Sequence, residues 1–132
     1  MNSSTARINA MKLVYENEMG GNGGEDTFAG ILELKPGESG KEYMLKLYDG
    51  VCANKEALDA RLSEHLRGWT LERISKVDLA ILRVAAFEIL NKLVKPAIAI
   101  NEAVEMANHY SSDRAGAFIN GVLGNLNREM QE

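Results

Sequence analysis

The sequence of 132 residues predicts an all-α fold of about six or seven helices, and three observations carry that expectation. Apolar residues recur at spacings of three and four along most of the chain, the period of a helix with one buried face. Both prolines, Pro36 and Pro96, lie outside the long periodic segments. Nine of the twelve glycines fall before residue 70, which leaves the second half depleted in helix breakers, and strand signals are nearly absent.

The first helix is expected from Thr5 to Met19, with Ile8, Met11, Val14 and Tyr15 as its apolar stripe and Gly20, Gly21, Gly23 and Gly24 as its stop. A short helix around Phe28, Ile31 and Leu32 would end at Lys35, Pro36 and Gly37. Tyr43, Met44, Leu47, Tyr48 and Val51 mark the next, and Asn54 offers an N-cap to a successor carrying Leu58, Leu62 and Leu66. After the Gly68-Trp69-Thr70 break, Ser75-Lys76-Val77-Asp78 has the form of a capping box. The helix it opens has apolar residues on more than one face, including Ala80, Ile81, Val84, Ala85, Phe87 and Leu90, so it is expected at the centre with neighbours on several sides. Pro96 is read as its end. Ile100, Ala103, Val104 and Ala107 form the inner face of the following helix, with Asn101 and Glu102 expected in its first turn. Ser111, Ser112 and Asp113 can cap the last helix, whose inner face is Phe118, Ile119, Val122, Leu123 and Leu126.

The length fits one domain spanning 1–132, large enough to bury a core without cross-links. The single cysteine, Cys52, excludes an intramolecular disulfide framework, and no apolar run approaches the ~20 residues that span a bilayer. The start Met1-Asn2-Ser3-Ser4-Thr5 is not followed by a signal-peptide core, so a soluble, cytoplasmic protein is expected, without contact to a membrane. A net charge of -4 argues against a strong, non-specific nucleic-acid binder. Charge is uneven, however: 21–54 holds three Lys against six acids, whereas 55–95 holds eight Lys and Arg against six acids. The basic middle permits an anion-binding face without demanding one, and a solvated mixed-charge helix surface is the favoured reading.

The residues name no catalytic centre, so the expectation is a binding protein and not an enzyme. His65 and His109 lack a His or Cys at helical spacing that could complete a metal site, and both are expected to be satisfied surface histidines. Cys52, next to Val51, is expected in the core. The Gly20 to Gly24 run lacks the Lys-Ser/Thr of a phosphate loop and follows a helix. Arg83 and Glu88 lie among apolar residues of the central helix, where a charge is costly unless paired, so both need partners. Asn101, Asn120 and Gly121 disfavour plain core helix. Two explanations stand. Gly121 lets two helices approach while the asparagines bond exposed backbone, which the residues alone favour, or the asparagines and Phe118 form a polar patch with an aromatic for stacking on an unpaired base.

Trp69-Thr70-Leu71-Glu72-Arg73-Ile74, Val77-Asp78-Leu79-Ala80-Ile81-Leu82-Arg83 through Leu90, Ile100-Asn101-Glu102-Ala103-Val104-Glu105-Met106-Ala107 and Phe118-Ile119-Asn120-Gly121-Val122-Leu123 together resemble the NusB family of bacterial transcription antitermination factors. The match is specific over about 69–126 and looser over 5–66. The resemblance implies two packed helical bundles and no cofactor. It also implies pairing with NusE, a ribosomal small-subunit protein, binding of boxA RNA, and action in the RNA polymerase antitermination complex at ribosomal RNA operons. Members occur as monomers or as homodimers. Carried onto this chain, the RNA contacts fall on Arg7, Tyr15, Arg114, Phe118 and Asn120, with Lys12 a turn beyond Arg7. Where well-studied members hold several consecutive arginines, this chain has Ser3, Ser4 and Thr5, which implies weaker RNA affinity and a shallower salt dependence. That departure motivates an alternative: a helical adaptor that binds NusE and has little RNA affinity of its own.

Overall fold

The computed structural model describes residues 2–20 and 40–131, and every regular element among them is helical. In chain order these are α1 (Ser3–Glu18), α2 (Lys41–Ala53), α3 (Lys55–Ser63), a single 3₁₀ turn (Leu71–Arg73), α4 (Lys76–Leu90), α5 (Pro96–Tyr110) and α6 (Asp113–Gln131). The short helix expected around Phe28 lies outside the described residues.

Caps explain most of the boundaries. The Asn2 side chain accepts a hydrogen bond from the Thr5 backbone N–H at 2.8 Å, so α1 starts two residues earlier than its apolar stripe suggests. Ser75 Oγ accepts from the Asp78 N–H at 3.2 Å and opens α4, and Ser112 Oγ accepts from the Ala115 N–H at 3.0 Å at the start of α6. Asn54 does not cap α3; its side-chain amide donates to the Gly50 carbonyl at 2.8 Å and closes the end of α2 instead. Nor does Pro96 end α4. That helix stops at Leu90, where Lys92 turns left-handed at φ 53° and the Leu93 N–H reaches back to the Glu88 carbonyl at 3.0 Å. Pro96 occupies the first turn of α5, where a missing N–H costs nothing, and Asn101 and Glu102 therefore sit a turn deeper than expected.

The long helix α4 is the common element. Its residues from Asp78 to Ile89 are all buried, because α1, α2 and α3 pack on it from the N-terminal half while α5 and α6 pack on it and on each other. Two glycines permit these approaches. A Cβ on Gly50 would lie 2.1 Å from the Phe87 ring, and one on Gly116 would lie 2.2 Å from Asn108 Oδ1, so α2 meets α4 and α6 meets α5 at glycine. Gly121, the glycine expected to do this, has nothing within 4 Å of its Cβ position. Cys52 is exposed, because one residue beyond buried Val51 the helix has turned by about 100°.

The charges expected to need partners have them. Arg83 grips Asp59 through two bonds of 2.8 Å and Glu18 through a third of 2.9 Å, which ties α4 to α3 and α1. Glu88 accepts two bonds from Arg7 Nε at 2.9 and 3.0 Å and a short one from the Tyr43 hydroxyl, joining α4 to α1 and α2. Among the described residues, the buried charged side chains thus sit on α1 and α4, not on the last two helices.

Candidate functional site

Two helix N-termini converge on one groove. The opening turn of α4 supplies Ser75 and Asp78, and that of α6 supplies Ser112, Arg114 and Ala115; the segment before α4 adds Trp69, Arg73 and Ile74, and Phe118 completes the wall. The cavity measures about 380 Å³. Each helix start presents backbone N–H groups and the positive end of its dipole, so the groove attracts anions before any side chain is counted. Arg73 and Arg114 reinforce that field: both are exposed, and neither is engaged by a carboxylate among the described residues.

The wall between this groove and its neighbour is aromatic. Trp69 is 53% exposed, and its ring meets that of half-buried Phe118 edge to face, at 6.2 Å between centroids and 61° between planes. Beyond the pair a second groove carries Arg67 and Arg128 around Gly121 and Asn125. An exposed tryptophan next to a phenylalanine, flanked by arginines that no carboxylate among the described residues engages, offers ring faces for unpaired bases and cations for their phosphates.

The structure brings together only part of the nominated set. Arg114 and Phe118 share the first groove with Trp69. Asn120, two residues past Phe118 and so on another side of α6, faces a groove against α5 with Asn101, Glu105 and Asp113. Lys12 projects over the Tyr110 ring at 5.3 Å on the α1 and α5 edge, and Tyr15 is half-buried against the core. Arg7 is 2% exposed, and its guanidinium is held by Glu88 with Glu102 at 3.6 Å. Ser4 is tied to the same Glu102 at 2.6 Å.

Sequence reasoning missed Trp69, Arg73 and Asp78 as site residues. One signal was present: the chain's single tryptophan stands in a glycine-marked break with Arg67 and Arg73 close by, and nothing about a break demands a large apolar ring. Both histidines have partners, His65 pairing with Glu129 at 2.5 Å and the His109 ring packing edge-on against Tyr110, but only His109 is exposed as expected, and His65 is part-buried. Glu64, His65 and Glu129 bring possible ligand atoms within 4.8 Å of one another. Glu129, however, already has one oxygen on His65 and the other 3.2 Å from Arg61, so both of its oxygens are engaged within the protein.

The family model described as "NusB family" matches residues 4–128. The transcription antitermination protein NusB of Acetivibrio thermocellus is 42% identical over 128 residues, covering 96% of this chain and 88% of the relative. That of Clostridium novyi is 37% identical, covering 96% and 98%. Among solved structures, T. maritima NusB superposes with a TM-score of 0.87 at 27% identity, covering 98% of this chain and 92% of that one. A structure of the antitermination factors NusB and NusE in complex with double-stranded RNA contains a chain matching at TM-score 0.82 and 26% identity, covering 96% of each.

Proposed function

The chain belongs to the NusB family, and from that premise we propose that it is a transcription antitermination factor that binds boxA-type RNA together with NusE. It acts by binding, in the bacterial cytoplasm, within the antitermination complex on RNA polymerase. The observation that carries the RNA reading is the Trp69 and Phe118 wall set between the N-termini of α4 and α6 with Arg73 and Arg114 at the rim. Similarity to a chain solved with NusE and RNA supports the same reading.

In this account Arg114 and Phe118 contact RNA directly, with Trp69 and Arg73 added to the set. Lys12, Tyr15 and Asn120 extend the contact along neighbouring edges. Arg7 acts from inside, fixing the start of α1 against α4 through Glu88.

A second reading, the NusE-binding adaptor with feeble RNA affinity, draws on the N-terminal arm, where Ser4 and Arg7 are both engaged by carboxylates of this chain. An electrophoretic mobility shift with single-stranded boxA RNA, run with and without NusE, separates the two. The antitermination reading expects a shift by this chain that NusE strengthens. A complex with NusE that leaves RNA unshifted supports the adaptor.

A further inference from the structure

The segment that carries Trp69 is tied to α6 at two points with a gap between them. After α3, residues 64–70 form no regular element. Leu66 is buried in the core, Gly68 turns the backbone at φ 83°, and the Trp69 N–H donates to the Leu66 carbonyl at 2.8 Å. Toward α6, the Trp69 ring meets Phe118, and His65 Nε2 lies 2.5 Å from Glu129 Oε2. Phe118 and Glu129 are three helical turns apart, which sets them on one face of α6. Between the two ties lies the second groove, of about 380 Å³, over Gly121, whose Cβ position has nothing within 4 Å. At Gly121, then, α6 offers the segment no packing. The other oxygen of Glu129 lies 3.2 Å from Arg61 Nη2, so one carboxylate near the end of α6 grips both α3 and the start of the Trp69 segment.

We propose that Glu129 is a positioning residue for RNA binding: through His65 it fixes where the 64–70 segment lies along α6, and so holds the exposed Trp69 ring against Phe118. The inference rests on the RNA-binding reading and adds a residue that acts through another. A ring that must be ordered as a base stacks on it loses affinity to that ordering, whereas a ring already fixed does not. The Phe118 contact is a single edge-to-face meeting of two rings, and the gap over Gly121 leaves the segment without support beside it, so the tie at the far end of the groove sets the reach of Trp69. A plain ion pair at the seam of α3 and α6 would act differently, since ion pairs near the surface contribute little to stability and nothing to the order of a ring further along the chain.

Trp69 is the only tryptophan of the chain, so its fluorescence reports on the segment without a label. The test is acrylamide quenching of that fluorescence in the full chain alone, paired with anisotropy titration of a boxA-type oligoribonucleotide in the presence of NusE. Glu129→Ala is expected to raise the quenching constant and to weaken RNA binding about fivefold, within the range for residues coupled in one network. Its melting temperature is expected to stay close to that of the wild type. His65→Ala, which cuts the tie from the other side, is expected to do the same, and the two substitutions together no more than either alone. In a Trp69→Ala background, Glu129→Ala is expected to cost no further affinity. A quenching constant that rises in neither variant, or an affinity loss that adds in full to that of Trp69→Ala, would overturn this inference alone. Absence of RNA binding by the wild type would overturn the functional reading and this inference with it.

Discussion

Where α1, α2 and α3 meet α4, each arginine is closed on carboxylates: Arg7 on Glu88, and Arg83 on Asp59 and Glu18. At the groove between the starts of α4 and α6, Arg73 and Arg114 stand open, beside an aromatic pair and two helix N-termini. The same residue type therefore serves two ends according to whether the fold supplies its counter-ion. The interior set locks four helices together, and the groove set keeps positive charge available in a chain whose net charge is -4.

The comparison breaks most readily at Glu88. Glu88→Ala leaves the Arg7 guanidinium buried and without its main partner, so urea denaturation is expected to show a loss of about 3–5 kcal/mol. A loss under about 1 kcal/mol would mean that Glu102, 3.6 Å from Arg7, takes over the pairing and that the interior is looser than its geometry implies. On the groove side, Trp69→Ala is expected to lower RNA affinity by about 1–3 kcal/mol, roughly 5- to 150-fold, in a binding titration. Because Trp69 is exposed, its removal is expected to change stability by no more than about 0.5 kcal/mol. Equal damage to folding and binding would erase the distinction between the two regions.

The smallest effect concerns acid. Hydrogen bonding from Lys55, with Arg83 adding to it against the opposing pull of burial, lowers the Glu18 carboxyl from 4.5 to about 2. Since the folded value lies below the unfolded one, this contribution is present above about pH 4.5 and is lost as pH falls through about 2. Glu18→Gln is thus expected to show a smaller drop in Tm between pH 5 and pH 2 than the wild type.

Much of the interior was legible in the residues. The apolar surround of α4 announced a central helix, and it made Arg83 and Glu88 conspicuous as charges that must be paired. Their partners were not legible, because Glu18 and Arg7 lie 65 and 81 positions away and no local pattern links them. Local chemistry also misled where one residue type serves two geometries. Asn54 can cap either of two helix ends, and a glycine in an apolar helix looks alike whether it receives a neighbour, as Gly50 and Gly116 do, or faces open space, as Gly121 does. Cys52 shows how one step of helix rotation separates core from surface. At the groove, Phe118 and Arg114 came from the family motif, whereas Trp69, Arg73 and Asp78 became neighbours of that motif only when the starts of α4 and α6 met.

The central claim, that the open arginines of the groove hold RNA phosphates, is tested most directly by salt titration. Log affinity for single-stranded boxA RNA is measured against log salt concentration for the wild type and for Arg73→Gln combined with Arg114→Gln. Loss of two phosphate contacts predicts a slope shallower by about 1.4, at about 0.7 for each contact with a single strand, and urea stability left as it was. Slopes that coincide would contradict the account.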